Sequence, residues 1–314
     1  MLTWLVIGIG DITSRRVLPA ILAEERSRLA GIVTRDPAKA APYGVPAFAT
    51  LEAALAESAA TAVYVASPVL LHASQSIAAL AAGRHVLCEK PMAMNLAEAQ
   101  KMVAEARTSR RTLGVAYYRR AYPKVHRAME LIRQGAIGQP VLAWAACHSE
   151  AVAENSPRSW LLDPKKAGGG PLYDIASHRI DLLNFFFGEP ARATGQLSNA
   201  VHAFAVEDSA TVMIEYKNKL RAIVDVRWHS RVDRDEFRII GTQGEMDLSP
   251  LSGPALIYPG EKESVPAHAN LHYPCVKNFV DAALDGAPLL SSGETALWTD
   301  WVTAQVLASD GAAR

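Results

Sequence analysis

The sequence is poor in the features that mark secreted and nucleic-acid-binding proteins. Only three of its 314 residues are cysteines, Cys88, Cys147 and Cys275, and their spacing fits neither a disulfide framework nor a metal site. Lys plus Arg and Asp plus Glu each number 32, so the formal net charge is zero with neutral histidines. This balance argues against a nucleic-acid partner and against an anionic membrane surface.

The apolar segment near the N-terminus, residues 2–9, lacks the features of a targeting sequence. It has no basic leader and no small-residue cleavage site, and it ends in a glycine motif. No run of uncharged residues in the sequence is long enough to span a bilayer. Together with the few cysteines, these absences predict a cytoplasmic protein with reduced thiols.

Half of the residues are apolar and 20% are charged, so the chain can bury a sizeable core, and its length favours two domains. Within residues 1–120, strands are predicted over residues 3–9, 29–34, 62–66, 85–89 and 112–117. Between them, one helix spans about residues 70–82 and ends at Gly83, and another begins after Asn95, with Glu98 completing a capping box. This alternation predicts a doubly wound α/β domain with a parallel sheet.

The alternation of short strands and helices stops after Tyr118, and the pattern of residues 121–314 indicates an α+β domain. A helix over about residues 124–134 precedes longer strands, which are predicted over residues 210–216, 220–230 and 235–242. The second of these strands has an apolar face that comprises Leu220, Ala222, Val224, Val226 and Trp228. Such alternation indicates an open, mostly antiparallel sheet. Because its second face mixes apolar and polar residues, we expect a homo-oligomer, either a dimer or a tetramer.

A glycine turn follows the first predicted strand. Gly8 and Gly10 precede Asp11-Ile12-Thr13 and a helix whose apolar stripe is Val17, Leu18, Ile21 and Leu22. A dinucleotide needs a tight turn at Gly8, close backbone approach at Gly10 and helix N-terminal amides aimed at its pyrophosphate. Thr13 replaces the third glycine of the usual fingerprint, so an ordinary strand-helix turn remains the alternative.

The second strand ends in Thr34-Arg35-Asp36, about where an acidic residue binds the ribose of NAD. Here a hydroxyl is followed by a guanidinium, which suits the 2′-phosphate of NADP because Arg forms paired hydrogen bonds with phosphate. The sequence therefore favours NADP. The alternative is that Arg35 is solvated and that Asp36 binds the ribose hydroxyls of NAD.

Two further strand ends carry candidate cofactor residues. Glu89-Lys90-Pro91 ends one strand, and Ser67-Pro68 ends another, with His72 in the helix that follows. Ligands bind at the carboxyl ends of strands in open parallel sheets, so we expect Lys90 to point at the cofactor. A surface turn at Lys90 and a packing role for His72 are the alternatives.

A glycine-rich segment, residues 168–170, leads into a helix that Pro171 begins. Asp174, His178 and Asp181 lie at i, i+4 and i+7 of this helix, within a wedge of about 60°. A carboxylate beside a histidine favours imidazolium, which suits proton transfer to or from a hydroxyl or carbonyl. A solvated face or a structural ion pair is the alternative. We expect no metal, because hydride transfer to a nicotinamide needs none.

Together these motifs resemble the Gfo/Idh/MocA family, the relatives of glucose-fructose oxidoreductase and inositol dehydrogenase. The resemblance covers nearly the whole chain and rests on residues 8–13, Ser67-Pro68 with His72, Glu89-Lys90-Pro91, Tyr117 and Arg120 with Pro123, and residues 168–181. Two positions depart from the family's pattern. Thr13 replaces a glycine, and so does Ala176, two residues before the histidine; both changes concern packing more than chemistry.

The resemblance implies an N-terminal Rossmann domain over residues 1–120 and a substrate-binding and oligomerisation domain over residues 121–314. It also implies NAD(P)-dependent hydride transfer at a hydroxyl or carbonyl carbon of a sugar, polyol or related diol. Lys90, Asp174 and His178 match the residues that face the nicotinamide and substrate in this family. Thr34-Arg35 resembles the corresponding pair in its NADP-using members.

We hypothesise that Lys90 holds the substrate oxygen, that His178 is the general acid or base and that Asp174 orients the imidazole or binds a neighbouring hydroxyl. Residues expected to border the substrate are Tyr117, Arg120, Arg158, Trp160 and Asp181. Two alternatives remain at this point, a glycoside-cleaving enzyme with tightly held NAD and a non-enzymatic regulator that senses NAD(P). The presence of all three candidate catalytic residues argues against the regulator.

Overall fold

The computed structural model describes residues 1–311 and divides into two compact units. Unit 1 comprises Met1–Tyr118 and His268–Leu297, and unit 2 comprises Arg119–Ala267 and the described residues from Trp298. The boundaries predicted from the sequence, 1–120 and 121–314, differ from this division at residues 119–120 and at residues 268–297. This segment returns to unit 1, where the ring of Phe279 lies 5.4 Å from that of Trp4 in the buried core.

Strands and helices alternate in the first third of the chain, and longer strands follow. The strands are β1 (Leu2–Ile7), β2 (Ser27–Val33), β3 (Ala47–Phe48), β4 (Ala62–Val65), β5 (His85–Cys88), β6 (Leu113–Val115), β7 (Pro140–Glu150), β8 (Pro190–Ser198), β9 (Ser209–Tyr216), β10 (Arg221–Arg227), β11 (His229–Gly241), β12 (Gly244–Asp247), β13 (Ala255–Tyr258) and β14 (Glu261–Ser264). The α-helices are α1 (Leu18–Ala23), α2 (Leu51–Glu57), α3 (His72–Ala81), α4 (Leu96–Ser109), α5 (Pro123–Arg133), α6 (Pro164–Ala167), α7 (Ser177–Phe187), α8 (Tyr273–Asp285) and α9 (Gly293–Asp310). Wider π-helical turns, Thr13–Val17 and Leu172–Ala176, precede α1 and α7.

The sheet of unit 1 has six parallel strands in the order β3-β2-β1-β4-β5-β6. Alternate residues of β1 enter separate cores on its two faces, with Leu5 and Ile7 on one side and Trp4 and Val6 on the other. The predicted doubly wound α/β class is therefore confirmed. Leu22 is exposed, so the apolar stripe predicted for the first helix stops at Ile21.

Local capping also follows the prediction. The side chain of Asn95 accepts a hydrogen bond from the backbone N–H of Glu98 at 3.0 Å and begins α4. The Glu98 carboxylate in turn accepts from the backbone N–H of Met94 at 3.2 Å. These two bonds satisfy amides that the first turn of the helix leaves unpaired.

The sheet of unit 2 has eight strands in the order β14-β13-β12-β11-β7-β10-β9-β8. All of its pairs are antiparallel except β7 with β10, so the predicted mostly antiparallel sheet is confirmed. The apolar face predicted for residues 220–230 is buried throughout, but these residues do not form one strand. The backbone N–H of Trp228 bonds to the carbonyl of Asp208, and β11 begins at the next residue.

Among residues 1–311, no helix has both the length and the apolar character needed to cross a membrane.

Candidate active site

The glycine turn of unit 1 leaves open space at the start of the first helix. Gly8 has φ +85°, and a Cβ there would lie 2.8 Å from the carbonyl oxygen of Ala66. At Gly10, by contrast, a Cβ would meet no described atom within 4 Å. Gly8 is thus needed for the turn itself, whereas Gly10 is exposed and leaves space for a ligand to approach its backbone. Asp11 and Ile12 are exposed beside this space.

Thr34, Arg35 and Asp36, which follow β2, differ in their contacts with the rest of the protein. The Thr34 hydroxyl accepts a hydrogen bond from the backbone N–H of Asp36 at 3.1 Å. The Asp36 carboxylate accepts from the backbone N–H of Ala38 at 3.1 Å and caps the short helix Pro37–Lys39. Arg35 is exposed and makes no hydrogen bond or ion pair with any residue that the structure describes. Its guanidinium is therefore available to an anionic ligand.

Lys90 follows β5 and is half-buried, and its neighbour Glu89 anchors the segment. The Tyr64 hydroxyl donates to the Glu89 carboxylate at 2.7 Å, and the backbone N–H of Lys90 donates to it at 3.2 Å. Burial alone would raise the pKa of Glu89, but the His272 imidazole 3.4 Å away, the hydrogen bond from Tyr64 and the charge of Lys90 outweigh burial and lower it. Glu89 therefore stays ionised beneath Lys90.

His72 joins the loops after β4 and β5. One ring nitrogen lies 2.9 Å from the carbonyl oxygen of Pro91 and the other 2.9 Å from that of Ser67. The ring is buried, and burial lowers its pKa. Because both nitrogens face protein carbonyls, His72 supports the two loops from within. The Ser67 hydroxyl donates to Gln75, a partner that the sequence analysis did not identify.

In unit 2, the glycines at 168–170 allow a tyrosine ring and a carboxylate to pack at the start of the candidate helix. A Cβ at Gly168 or Gly169 would collide with the ring of Tyr173, and one at Gly170 would collide with the backbone carbonyl of Glu207. The buried Glu207 carboxylate accepts hydrogen bonds from the backbone N–H groups of Gly170 at 2.9 Å and Leu172 at 3.2 Å. No local sequence pattern marks Glu207, and the sequence analysis missed it.

Asp174 lies in the wider π-helical turn that precedes α7, whereas His178 and Asp181 lie in α7 itself. The Asp174 carboxylate lies 3.2 Å from the Arg158 guanidinium. His178 is buried apart from a small exposed area. Asp181 accepts two hydrogen bonds from Arg120, at 2.9 and 2.5 Å, with both side chains 2% exposed. Asp174 is thus partly exposed, whereas Asp181 is buried.

The five residues expected to border the substrate differ in the same way. Tyr117, Arg120 and Asp181 are buried, whereas Arg158 is exposed and Trp160 is half-buried. Trp160 packs on a small apolar cluster that includes Leu161, Ala167, Val206 and Trp228. Of the five, Arg158 and Trp160 have the side-chain exposure that direct contact with a substrate requires.

The residues of unit 1 fit a nicotinamide dinucleotide. Gly10 borders a space large enough for a close backbone contact, Arg35 offers an unengaged guanidinium, and Lys90 lies at the carboxyl end of β5. In open parallel sheets this end is where such ligands bind.

Comparison with known proteins agrees with this arrangement. Residues 2–117 match the description "Oxidoreductase family, NAD-binding Rossmann fold", and residues 125–247 match "GFO/IDH/MocA C-terminal domain". A 1,5-anhydro-D-fructose reductase from Ensifer adhaerens is 30% identical over 310 residues, which cover 94% of this chain and 92% of that protein. A D-xylose 1-dehydrogenase [NADP(+)] from Haloarcula marismortui is 26% identical, covering 78% of this chain and 71% of that protein.

Solved structures share the fold across the chain. An aldose-aldose oxidoreductase from Caulobacter crescentus, complexed with glycerol, superposes with a TM-score of 0.88 at 24% identity, covering 100% of this chain and 98% of that one. A levoglucosan dehydrogenase in complex with NADH and levoglucosan gives 0.89 at 22% identity, covering 99% and 97%. Sequence and fold thus agree, and the chain belongs to the Gfo/Idh/MocA family of NAD(P)-dependent oxidoreductases.

Proposed function

We propose that this protein transfers a hydride between a nicotinamide cofactor, with NADP preferred, and a hydroxyl or carbonyl carbon of a sugar, polyol or related diol. The observation that carries the proposal is Lys90, which lies at the carboxyl end of β5 on a backbone held by the ionised Glu89. Relatives named for 1,5-anhydro-D-fructose, D-xylose and a trans-dihydrodiol support this substrate class.

The side chains divide the chemistry between them. When bound, the nicotinamide supplies or accepts the hydride. In the direction of reduction, the Lys90 ammonium donates a hydrogen bond to the substrate carbonyl oxygen, and the His178 imidazole delivers the proton that this oxygen needs. Asp174 orients His178 or binds a neighbouring hydroxyl, and Arg158 beside Asp174 borders the substrate. In the direction of oxidation, His178 removes the hydroxyl proton.

The catalytic roles are tested by a substrate panel followed by substitution. The panel comprises 1,5-anhydro-D-fructose with NADPH, and D-xylose, levoglucosan and a trans-dihydrodiol with NADP⁺ and NAD⁺. On whichever substrate is turned over, Lys90→Met and His178→Asn should each lower kcat by about 10²- to 10⁴-fold. Lys101→Met, on the exposed side of α4, is the matched control and should retain wild-type kcat. Full activity of Lys90→Met would contradict the proposal, and turnover without net NAD(P)H change would favour glycoside cleavage.

The preference for NADP is tested separately by titrating nucleotide-free protein with NADPH and NADH at one fixed salt concentration, following nicotinamide fluorescence. Asp36 already caps a helix, whereas Arg35 is exposed and has no described partner. Arg35→Ala should therefore weaken NADPH binding by about tenfold or more while changing NADH binding little, as expected for a charged hydrogen-bonding pair of about 1.5–3 kcal/mol. Lys39→Ala, an exposed neighbouring cation, controls for general loss of positive charge. Tighter binding of NADH than NADPH by the wild-type protein would overturn the preference.

A further inference from the structure

A buried histidine from the returning segment of unit 1 lies behind the Lys90 backbone. The Nε2 atom of His272 is 3.4 Å from Oε1 of Glu89, the same oxygen that accepts the Tyr64 hydroxyl. Oε2 of Glu89 accepts the backbone N–H of Lys90. One carboxylate thus connects the imidazole to the peptide of Lys90. We call these two residues the Glu89–His272 pair.

The imidazole is held in place from several directions. The backbone N–H of His272 donates to the Asn270 side chain at 3.0 Å, and Asn270 donates to the backbone carbonyl of Arg16 at 2.8 Å. The His272 carbonyl accepts from the backbone N–H of Val276 in the first turn of α8. The ring lies against Tyr118, with ring centroids 4.7 Å apart. At 2% exposure, His272 cannot rotate toward water without disturbing these contacts.

The His272 imidazole helps to keep the buried Glu89 carboxylate ionised. Glu89 is enclosed by Tyr64 from β4, by Lys90 and by His272, and the contact with the His272 imidazole, 3.4 Å away, is the largest of the influences that lower its pKa against the effect of burial. A buried carboxylate that loses such a polar neighbour becomes easier to protonate. A protonated Glu89 would no longer present two acceptor oxygens to its donors, and Lys90 would lose a neighbouring negative charge.

We propose that His272 is a positioning residue for Lys90, which acts through the Glu89 carboxylate. The proposal rests on the catalytic role assigned to Lys90 above. His272 fixes the orientation and charge of Glu89, and Glu89 fixes the peptide from which the Lys90 side chain projects. His272 and Glu89 lie far apart in the sequence but belong to the same unit. Their contact therefore joins the segment that leads into α8 to the loop that carries Lys90.

Two substitutions separate positioning from simple packing. His272→Phe keeps an aromatic ring against Tyr118 but removes the ring nitrogen that faces Glu89, whereas His272→Gln keeps a polar N–H group on a side chain of similar reach. Lys277→Met, on the exposed side of α8 in the same returning segment, is the control. Kinetics use NADPH with 1,5-anhydro-D-fructose, together with the rest of the panel, and thermal unfolding is measured for every variant.

We expect His272→Phe to lower kcat by about 10- to 10²-fold, the effect of a catalytic group displaced by about 1 Å, with a smaller change in KM. The acid limb of its kcat profile should move to higher pH, because the pKa of Glu89 rises when the imidazole is lost and protonation then begins at a higher pH. His272→Gln should recover most of kcat and move the acid limb back. Lys277→Met should match the wild type.

A second readout does not depend on the substrate. Trinitrobenzenesulfonate labels exposed amines, and peptide mass spectrometry gives the labelling rate of Lys90 relative to Lys101 in the same sample. His272→Phe should change this ratio and His272→Gln should restore it. Unchanged labelling, or equal losses of kcat and of unfolding temperature in both His272 variants, would overturn the positioning role. Full activity of Lys90→Met would instead overturn the proposed function, so the two failures are distinguishable.

Discussion

At the scale of single residues, the two glycines of the turn after β1 have different tasks. Gly8→Ala places a methyl group 2.8 Å from the Ala66 carbonyl and in a positive-φ conformation, so we expect a loss of stability of about 1–3 kcal/mol together with loss of NADPH binding. Gly10→Ala adds a methyl group where the protein leaves space, so it should fold normally yet bind NADPH more weakly. Thermal unfolding and NADPH titration measure both effects. Wild-type NADPH affinity in Gly10→Ala would place the pyrophosphate elsewhere.

A second residue-scale prediction concerns Arg120 and Asp181, which the sequence analysis expected beside the substrate. Burial raises the pKa of Asp181 and the Arg120 guanidinium opposes that rise, as in a structural ion pair. Asp181→Ala leaves a buried guanidinium unpaired, so it should lower the free energy of unfolding by about 3–5 kcal/mol. Denaturant unfolding measures this loss, and the double variant Arg120→Leu/Asp181→Leu should recover part of it. Normal stability with a raised KM would instead support direct substrate contact by Asp181.

The sequence identified candidate residues better than it identified their partners. Lys90, Asp174 and His178 belong to compact local motifs, so their positions follow from short stretches of chain. Glu207 and His272 carry no motif, because each acts on a residue far away in the sequence. Only the folded chain brings a carboxylate to the Gly170 amide or an imidazole to Glu89.

At the scale of elements, the helix that carries Asp174 and His178 depends on Glu207 at its start. The backbone N–H groups of Gly170 and Leu172 donate hydrogen bonds to this buried carboxylate, and the adjacent glycines leave the space that it occupies. Glu207→Ala leaves both donors unsatisfied, so we expect a loss of about 1–3 kcal/mol in unfolding free energy and a fall in kcat. Glu207→Gln retains an acceptor oxygen and should lose less of both. Equal stability of Glu207→Ala and wild type would show that other groups satisfy these amides.

The apolar periodicity of the sequence predicted that strands exist, but it did not predict how the strands pair or which type of helical turn forms. Residues 220–230 alternate correctly, yet β10 ends at Arg227 and a new strand, β11, begins at His229. Likewise, no local pattern predicts the π-helical turn that carries Asp174 just before α7. The parallel pairing of β7 with β10 depends on residues about 80 positions apart, which no local pattern encodes.

At the scale of the whole molecule, the sequence-based boundary near residue 120 overlooks the return of residues 268–297 to unit 1. The amphipathic pattern of α8 shows that it buries one face but does not show which sheet receives that face. Phe279 and Val276 pack in the core formed by one face of the parallel sheet. This return is also what brings His272 to Glu89.

The open face of the unit 2 sheet gives the last prediction. Trp144, Ile223 and Met213 are register neighbours on adjacent strands and form an apolar row, and Met213 is 52% exposed. A row of this kind on one sheet face suits burial against a second copy of the chain, so we expect a homo-oligomer formed through this face.

Met213→Lys places a charge at the exposed end of the row and should shift the protein to a smaller species, because burying an unpaired ammonium is unfavourable. Light scattering coupled to size-exclusion chromatography measures the mass. Val232→Lys, at a more exposed position of β11, is the matched control and should leave the mass unchanged. A monomeric wild-type protein, or an oligomer unaffected by Met213→Lys, would contradict assembly through this face. An intact catalytic rate in a dissociated Met213→Lys protein would further show that each protomer carries a complete active site.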